Sequence, residues 1–135
     1  MDDEAAVKSA SSEFFAALND MFVGDLSRMT ALWSHADDVV YMGPNGIQIV
    51  GWPAVLADWE KQAAMKMGGQ IAAQEPHVTL GQDLAVTHHL AQGSNTDSDG
   101  KPVQVSTRGT NVWRKENGQW KLIAHHSDPL PFLQD

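Results

Sequence analysis

The sequence predicts an α+β domain: three helices in the N-terminal half, then a mostly antiparallel sheet. Three observations predict it. Apolar residues recur at the helical period of 3.6 up to Gly69 and at a period of two after it. Four long alternating segments follow Gly69, joined by short turn signals. No repeat, low-complexity tract or linker interrupts the chain, so residues 1–135 read as a single domain.

The first helix is expected from Asp3 to Phe22. Val7, Ser11, Phe14, Phe15, Leu18, Met21 and Phe22 form one stripe along it, and Gly24 is a suitable stop. Asp25 is placed to cap a short second helix, Leu26 to Leu32, and Trp33 follows at the entry to a loop. Asp38 to Met42 reads as a short strand, Pro44-Asn45-Gly46 as a turn, and Ile47 to Val50 as a second short strand. Gly51-Trp52-Pro53 opens the third helix, because proline fits the first turn, where no N–H is needed. Val55, Leu56, Trp59, Ala63 and Met67 line one face of it, and Gly68-Gly69 ends it.

The long strands are expected at Gln70 to Leu80, Leu84 to Asn95, Pro102 to Glu116 and Gln119 to Ser127. Turns at Gly81-Gln82, Asp99-Gly100 and Asn117-Gly118 join them, the last being the strongest hairpin signal. Pro76 cannot donate to a ladder, which implies a sheet edge or a bulge.

Composition narrows the partners. A formal charge of −8, from 9 basic and 17 acidic residues, argues against nucleic acid and anionic membranes. At 42% hydrophobic the chain can bury a core. With no cysteine there is no thiolate chemistry and no Cys-ligated zinc. The acidic start, with no long apolar run after it, reads as a cytoplasmic chain without signal peptide or membrane span.

Hairpin register decides which residues share a face, since a slip of one residue turns every side chain over. Two-residue turns at Asn117-Gly118 and Asp99-Gly100 pair Trp113 with Leu122, Asn111 with Ala124 and Gly109 with His126. They also pair Val86 with Trp113, His88 with Asn111 and Leu90 with Gly109. The more apolar face then carries Val86, His88, Leu90, Asn111, Trp113, Leu122, Ala124 and His126, and is assigned to the interior. Its polar members His88, Asn111 and His126 converge there, which predicts a pocket, because buried polar groups need partners. The opposite face, with Thr87, His89, Ala91, Arg108, Thr110, Val112, Arg114, Ile123, His125 and Ser127, is mixed, and is expected to meet a second copy as a homodimer.

His88 and His126 are therefore the candidate acid/base residues, histidine titrating near neutral pH. Held against each other or Asn111, they instead only brace the sheet. Neighbouring His88-His89 and His125-His126 point to opposite faces and cannot chelate as pairs, so no metal site is assigned. Tyr41 and Trp59 are the best pocket aromatics, with Trp113 beside them; Trp33 and Trp52 read as core. Asp37 and Asp38 fit a solvated turn better than a catalytic pair. Arg108 suits either an anionic ligand or an interface salt bridge. Tyr41, Trp59, His88, Asn111, Trp113 and His126 make up the expected ligand set, and no cofactor is expected.

Several stretches resemble the association domain of calcium/calmodulin-dependent protein kinase II. They are Pro76-His77-Val78-Thr79-Leu80-Gly81 with Asp83-Leu84-Ala85, Thr110-Asn111-Val112-Trp113 with Asn117-Gly118-Gln119-Trp120, the Gly24-Asp25 joint, and the spacing to His126. The whole chain is similar to the nuclear transport factor 2-like superfamily, whose free-standing members are SnoaL-like proteins. The resemblance implies a curved sheet wrapped as a cone (a cystatin-like α+β barrel) around a cavity, and an oligomer. That association domain carries a cavity arginine; this chain has Asn111 at the matching position. No kinase motif is present.

Ketosteroid isomerase is more distantly similar, at Phe14 to Asn19 and Ala36 to Pro44. Its tyrosine falls on Phe14 and its aspartate base on Gly43, so the resemblance excludes that Tyr/Asp chemistry here. Together these readings favour a SnoaL-like protein binding a small apolar or aromatic metabolite. The alternatives are a cofactor-independent isomerase, cyclase or dehydratase working through His88 or His126, and an assembly domain without a ligand.

Overall fold

The computed structural model describes residues 2–131. It is an α+β fold with helices α1 (Asp3–Met21), α2 (Ser27–Leu32) and α3 (Trp52–Ala64). The strands are β1 (Val40–Met42), β2 (Ile49–Val50), β3 (Gln70–Ala73), β4 (His77–Leu80), β5 (Leu84–Thr96), β6 (Pro102–Glu116) and β7 (Gln119–Pro129). They form one mixed, open sheet in the order β2-β1-β7-β6-β5-β3, with β4 on the same edge of β5. Only β1 with β7 is parallel among the strand pairs.

Local chemistry explains the element ends. Asp2 accepts from the Ala5 N–H at 2.8 Å and caps α1. Asp25, expected to cap α2, instead accepts from the Ser27 N–H at 2.9 Å, turning the chain just ahead of the helix. Asn117 and Gly118 both have positive φ, 52° and 77°, as a tight hairpin turn requires. The segment expected as one strand, Gln70 to Leu80, is two. Ala73 faces Ala91 while His77 faces His88, so one extra residue is bulged out around Pro76 at the sheet edge.

Helix α1 lies across the inner face, touching β3, β4, β5 and β7. The Asn19 side chain docks it to the edge strand, donating to the Ile71 carbonyl at 3.1 Å and accepting from the Ile71 N–H at 2.8 Å. Between helices and sheet sit Val7, Phe14, Met21, Met29, Trp33, Val55, Trp59, Trp113 and Leu122, all essentially inaccessible. The Trp113 indole N–H finds a buried acceptor in Thr87 Oγ1 at 3.0 Å.

The register differs from the expected one in two places, and both reverse a face. The β5–β6 connection is not a two-residue turn: Thr96 pairs with Pro102, leaving a five-residue loop, Asp97 to Lys101. Asp97 Oδ1 organises it by accepting from the N–H groups of Asp99 and Lys101, both at 2.9 Å. The odd loop length moves every β5 pairing by one, so Ala85, Thr87 and His89 face Trp113, Asn111 and Gly109. In β7, Trp113 pairs with Leu122 as expected, but Val112 pairs with Ala124, so Ile123 is a bulge. Beyond it Asn111 faces His125 and Gly109 faces Ser127. The inner face therefore carries Thr87, His89, Ala91, Asn111, Trp113, Leu122, His125 and Ser127, all buried. His88 and His126 lie exposed on the outer face.

Candidate functional site

The inner face and helices α1 and α3 enclose a cavity of ≈ 240 Å³. Its walls are apolar: Phe14, Phe15 and Leu18 of α1, Trp59 of α3, and Ile71 and Val105 of the sheet. Exposed Pro44, Asn45 and Met65 stand at its rim. Polar side chains also line it, among them Tyr41, Gln62, His89, His125 and Ser127, with Asn45, Asn95 and Thr107. No lysine, arginine, aspartate or glutamate lines the cavity among the described residues.

His125 is the best-held of these groups. Its ring tilts against Phe14, centroids 4.8 Å apart, and stacks on Tyr41 at 5.6 Å. Nδ1 lies 2.5 Å from Asn111 Oδ1, and an amide oxygen only accepts, so Nδ1 carries the proton. Nε2 is then the free base of a neutral imidazole and accepts from the Ser127 hydroxyl at 3.2 Å. Burial pushes the His125 pKa down to about 3, with nearby His89 and His126 adding to the shift.

His89 packs edge-on against Phe15 at 4.9 Å. Its Nδ1 is buried with no hydrogen-bond partner among the described residues. Burial, with a smaller contribution from His88, lowers its pKa to about 4. The ring fits because its cross-strand neighbour is Gly109, where a Cβ would lie 2.6 Å from His89 Nε2.

Tyr41 projects from β1 against Trp59, centroids 4.9 Å apart. Gln62 Nε2 donates to Tyr41 Oη at 3.0 Å and to Asp58 Oδ2 at 2.8 Å. The second bond fixes which end of the amide meets the phenol. Burial raises the Tyr41 pKa to about 12, so the phenol stays protonated and keeps its own O–H to donate. A Cβ at Gly43 would lie 2.1 Å from Tyr41 Oη. Position 43 therefore has no room for a side chain beside the Tyr41 hydroxyl.

Residues 7–131 match the model of the SnoaL-like domain. This chain belongs to the SnoaL-like domain family. A candidate dehydratase of the NTF2-like family from Streptomyces avermitilis superposes with a TM-score of 0.82 at 24% identity, covering 95% of this chain and 97% of that one. A candidate calcium/calmodulin-dependent protein kinase type II association domain from Thiobacillus denitrificans gives 0.71 at 26% identity, covering 91% and 94%. The F-box protein SKIP8 of Arabidopsis thaliana is 25% identical over 93% of this chain, which spans 50% of that protein's length.

In this SnoaL-like domain the expected site residues separate into three groups. Tyr41 and Trp59 line the cavity. Asn111 and Trp113 are buried behind it: Asn111 holds His125, and Trp113 holds Thr87. His88 and His126 require correction, because the shifted register puts both outside. His126 pairs there with Asp128 at 2.9 Å, and His88 lies beside His77, ring centroids 6.5 Å apart. Their inward neighbours in sequence, His89 and His125, take the interior positions. Arg108 also sits on the exposed outer face, away from the cavity. Asp38 is held by Arg114, with bonds of 2.8 and 3.1 Å, and this ion pair keeps its carboxyl below the usual range.

Among the described residues, no group of three or more His, Cys, Asp or Glu is placed to hold a metal ion. No helix among them is long and apolar enough to cross a membrane. The sequence carried one overlooked signal for the change of face. Asp97, two residues before Asp99, can accept from the following N–H groups and favours a longer loop than Asp99-Gly100 alone.

Proposed function

We propose that this SnoaL-like domain binds one small, largely apolar molecule in the cavity between α1, α3 and the inner sheet face. The observation that carries the reading is a cavity of ≈ 240 Å³ with aromatic walls and a few inward polar groups. A dry apolar cavity of about 150 Å³ takes up benzene, so this one suits a molecule of about one or two rings. Exposed Met65 at the rim offers an adaptable apolar entrance.

Toluene, titrated into the full chain and followed by tryptophan fluorescence and melting temperature, tests this. Saturable quenching and a rise in Tm are expected, since a ligand that binds only the folded state stabilises it. Leu18→Trp, which grows into the cavity, should abolish both. A wild-type chain that neither quenches nor gains Tm contradicts the reading.

A second reading, acid–base catalysis on the bound molecule, is favoured by the Asn111–His125–Ser127 chain. It uses His125, with a fixed tautomer and its Nε2 lone pair directed at the Ser127 hydroxyl, instead of His88 or His126. Exchange of the α-protons of 2-indanone in D2O, read by NMR, tests it. Exchange faster than buffer, lost in His125→Gln, supports catalysis; exchange at the buffer rate contradicts it.

Self-association through the outer sheet face is the expectation for partners. Exposed Leu84 and Leu90 on that face support it. Sedimentation should show a dimer in wild type and a monomer in Leu90→Glu; a wild-type monomer contradicts it.

A further inference from the structure

The polar groups of the cavity are all neutral, and they are not a random set. Tyr41 Oη accepts from Gln62 and has no acceptor for its own proton among the described residues, so it presents a donor. Ser127 Oγ gives its proton to His125 Nε2, so it presents an acceptor. His89 Nδ1 is buried without a partner, and in the Nε2–H tautomer it is a second acceptor. An unmet buried polar atom is worth more to a ligand than one already paired, because binding relieves a desolvation cost the fold already bears.

A hydroxyl group answers this set: it accepts once and donates once. A carboxylate answers it badly. The lining offers it neutral groups only, the Tyr41 and Trp59 donors among them, and no cationic side chain lines the cavity among the described residues. Burial holds both imidazoles neutral at pH 7, so neither supplies the missing charge. An ammonium fares little better, with acceptors but no lining carboxylate to balance it. The walls decide the rest of the molecule. Phe14, Phe15, Tyr41 and Trp59 offer ring edges and faces to a flat body.

We propose that the cavity selects uncharged hydroxylated aromatic molecules of one or two rings, with Tyr41 and His89 setting the preference for the hydroxyl. This rests on the cavity being the ligand site and goes beyond it by naming the class it takes and the class it rejects.

Three probes of one shape test it: 2-naphthol, 2-methylnaphthalene and 2-naphthoate, titrated into the full chain at pH 7 by fluorescence. The expected order is 2-naphthol first, 2-methylnaphthalene about five- to tenfold weaker, as for one net hydrogen bond, and 2-naphthoate weakest. Tyr41→Phe and His89→Phe should each narrow the ratio of 2-naphthol to 2-methylnaphthalene affinity toward one, with 2-methylnaphthalene still binding. That second probe, with circular dichroism, separates lost selectivity from lost folding. Equal affinity for 2-naphthol and 2-methylnaphthalene overturns the selection and leaves the cavity as a ligand site. So does 2-naphthoate binding as tightly as 2-naphthol. If none of the three binds, the cavity reading itself fails and this one falls with it.

Discussion

His125 donates through Nδ1 to Asn111 Oδ1 at 2.5 Å, deep in the sheet where both side chains are buried. The bond ties β7 to β6 and sets the tautomer of the one imidazole that is paired at both nitrogens. Because Asn111 is neutral, nothing in the bond favours a proton on Nε2. Asn111→Asp changes that, since a carboxylate beside the ring stabilises the imidazolium. The His125 pKa, followed by NMR, should rise from about 3 by two or more units. An unchanged titration would show that burial alone governs this histidine.

Stability should fall in mild acid. His89 and His125 have folded pKa values of about 4 and about 3, both below the unfolded value near 6.5. The unfolded chain therefore binds more protons between those limits. The contribution of both rings is fully present above about pH 6.5 and is lost as pH falls toward the folded pKa values. Each histidine should take away about 1.4 kcal/mol per pH unit within that window. Urea titrations between pH 7 and pH 4.5 measure the slope, and His89→Phe should reduce it by about half.

Gly43→Ala should damage the site from outside the cavity. Its methyl group would lie 2.1 Å from Tyr41 Oη, so the phenol must move and release Gln62. A loss of roughly 1–3 kcal/mol in stability is expected for such overpacking. Binding of 2-naphthol should weaken about tenfold, as reported by fluorescence titration. Wild-type affinity in this variant would mean that Tyr41 does not touch the ligand.

The outer histidines are the natural controls. His88→Ala and His126→Ala remove exposed side chains, His126 being 52% accessible and paired only with Asp128. Both variants should keep their 2-naphthol affinity within about twofold and their melting temperature within a degree or two. A tenfold loss in either would return the site to the outer face.

Much of the fold was legible because its signals are local. Gly24 and Gly51 bound the helices, Asn117-Gly118 makes its hairpin, and Pro76 marks the broken edge strand. Tyr41 and Trp59 were legible as pocket aromatics, from the first strand and the face of the third helix. The polar end of the site was legible in kind but not in position. One loop of five residues and one bulge at Ile123 each reverse a face. Neither is a propensity of the residues on the reversed strands: the loop length depends on Asp97 accepting from the N–H groups of Asp99 and Lys101, and the bulge shows only in the β6–β7 register. Two errors of one residue thus exchanged His88 for His89 and His126 for His125, while β6, with Asn111 and Trp113, kept its inward face. Gln62 and Ser127 could not be found this way, since each acts through a partner, Tyr41 or His125, that only the folded chain supplies.

On the proposed reading, the inner face, with His89 and His125, is the ligand site of this SnoaL-like domain. Imidazole NMR of the full chain during titration with 2-naphthol tests this, because one experiment observes all four histidines of β5 and β7. The expected result is saturable shifts at His89 and His125 with His88 and His126 still. Shifts at His88 and His126, with His89 and His125 unmoved, would contradict it.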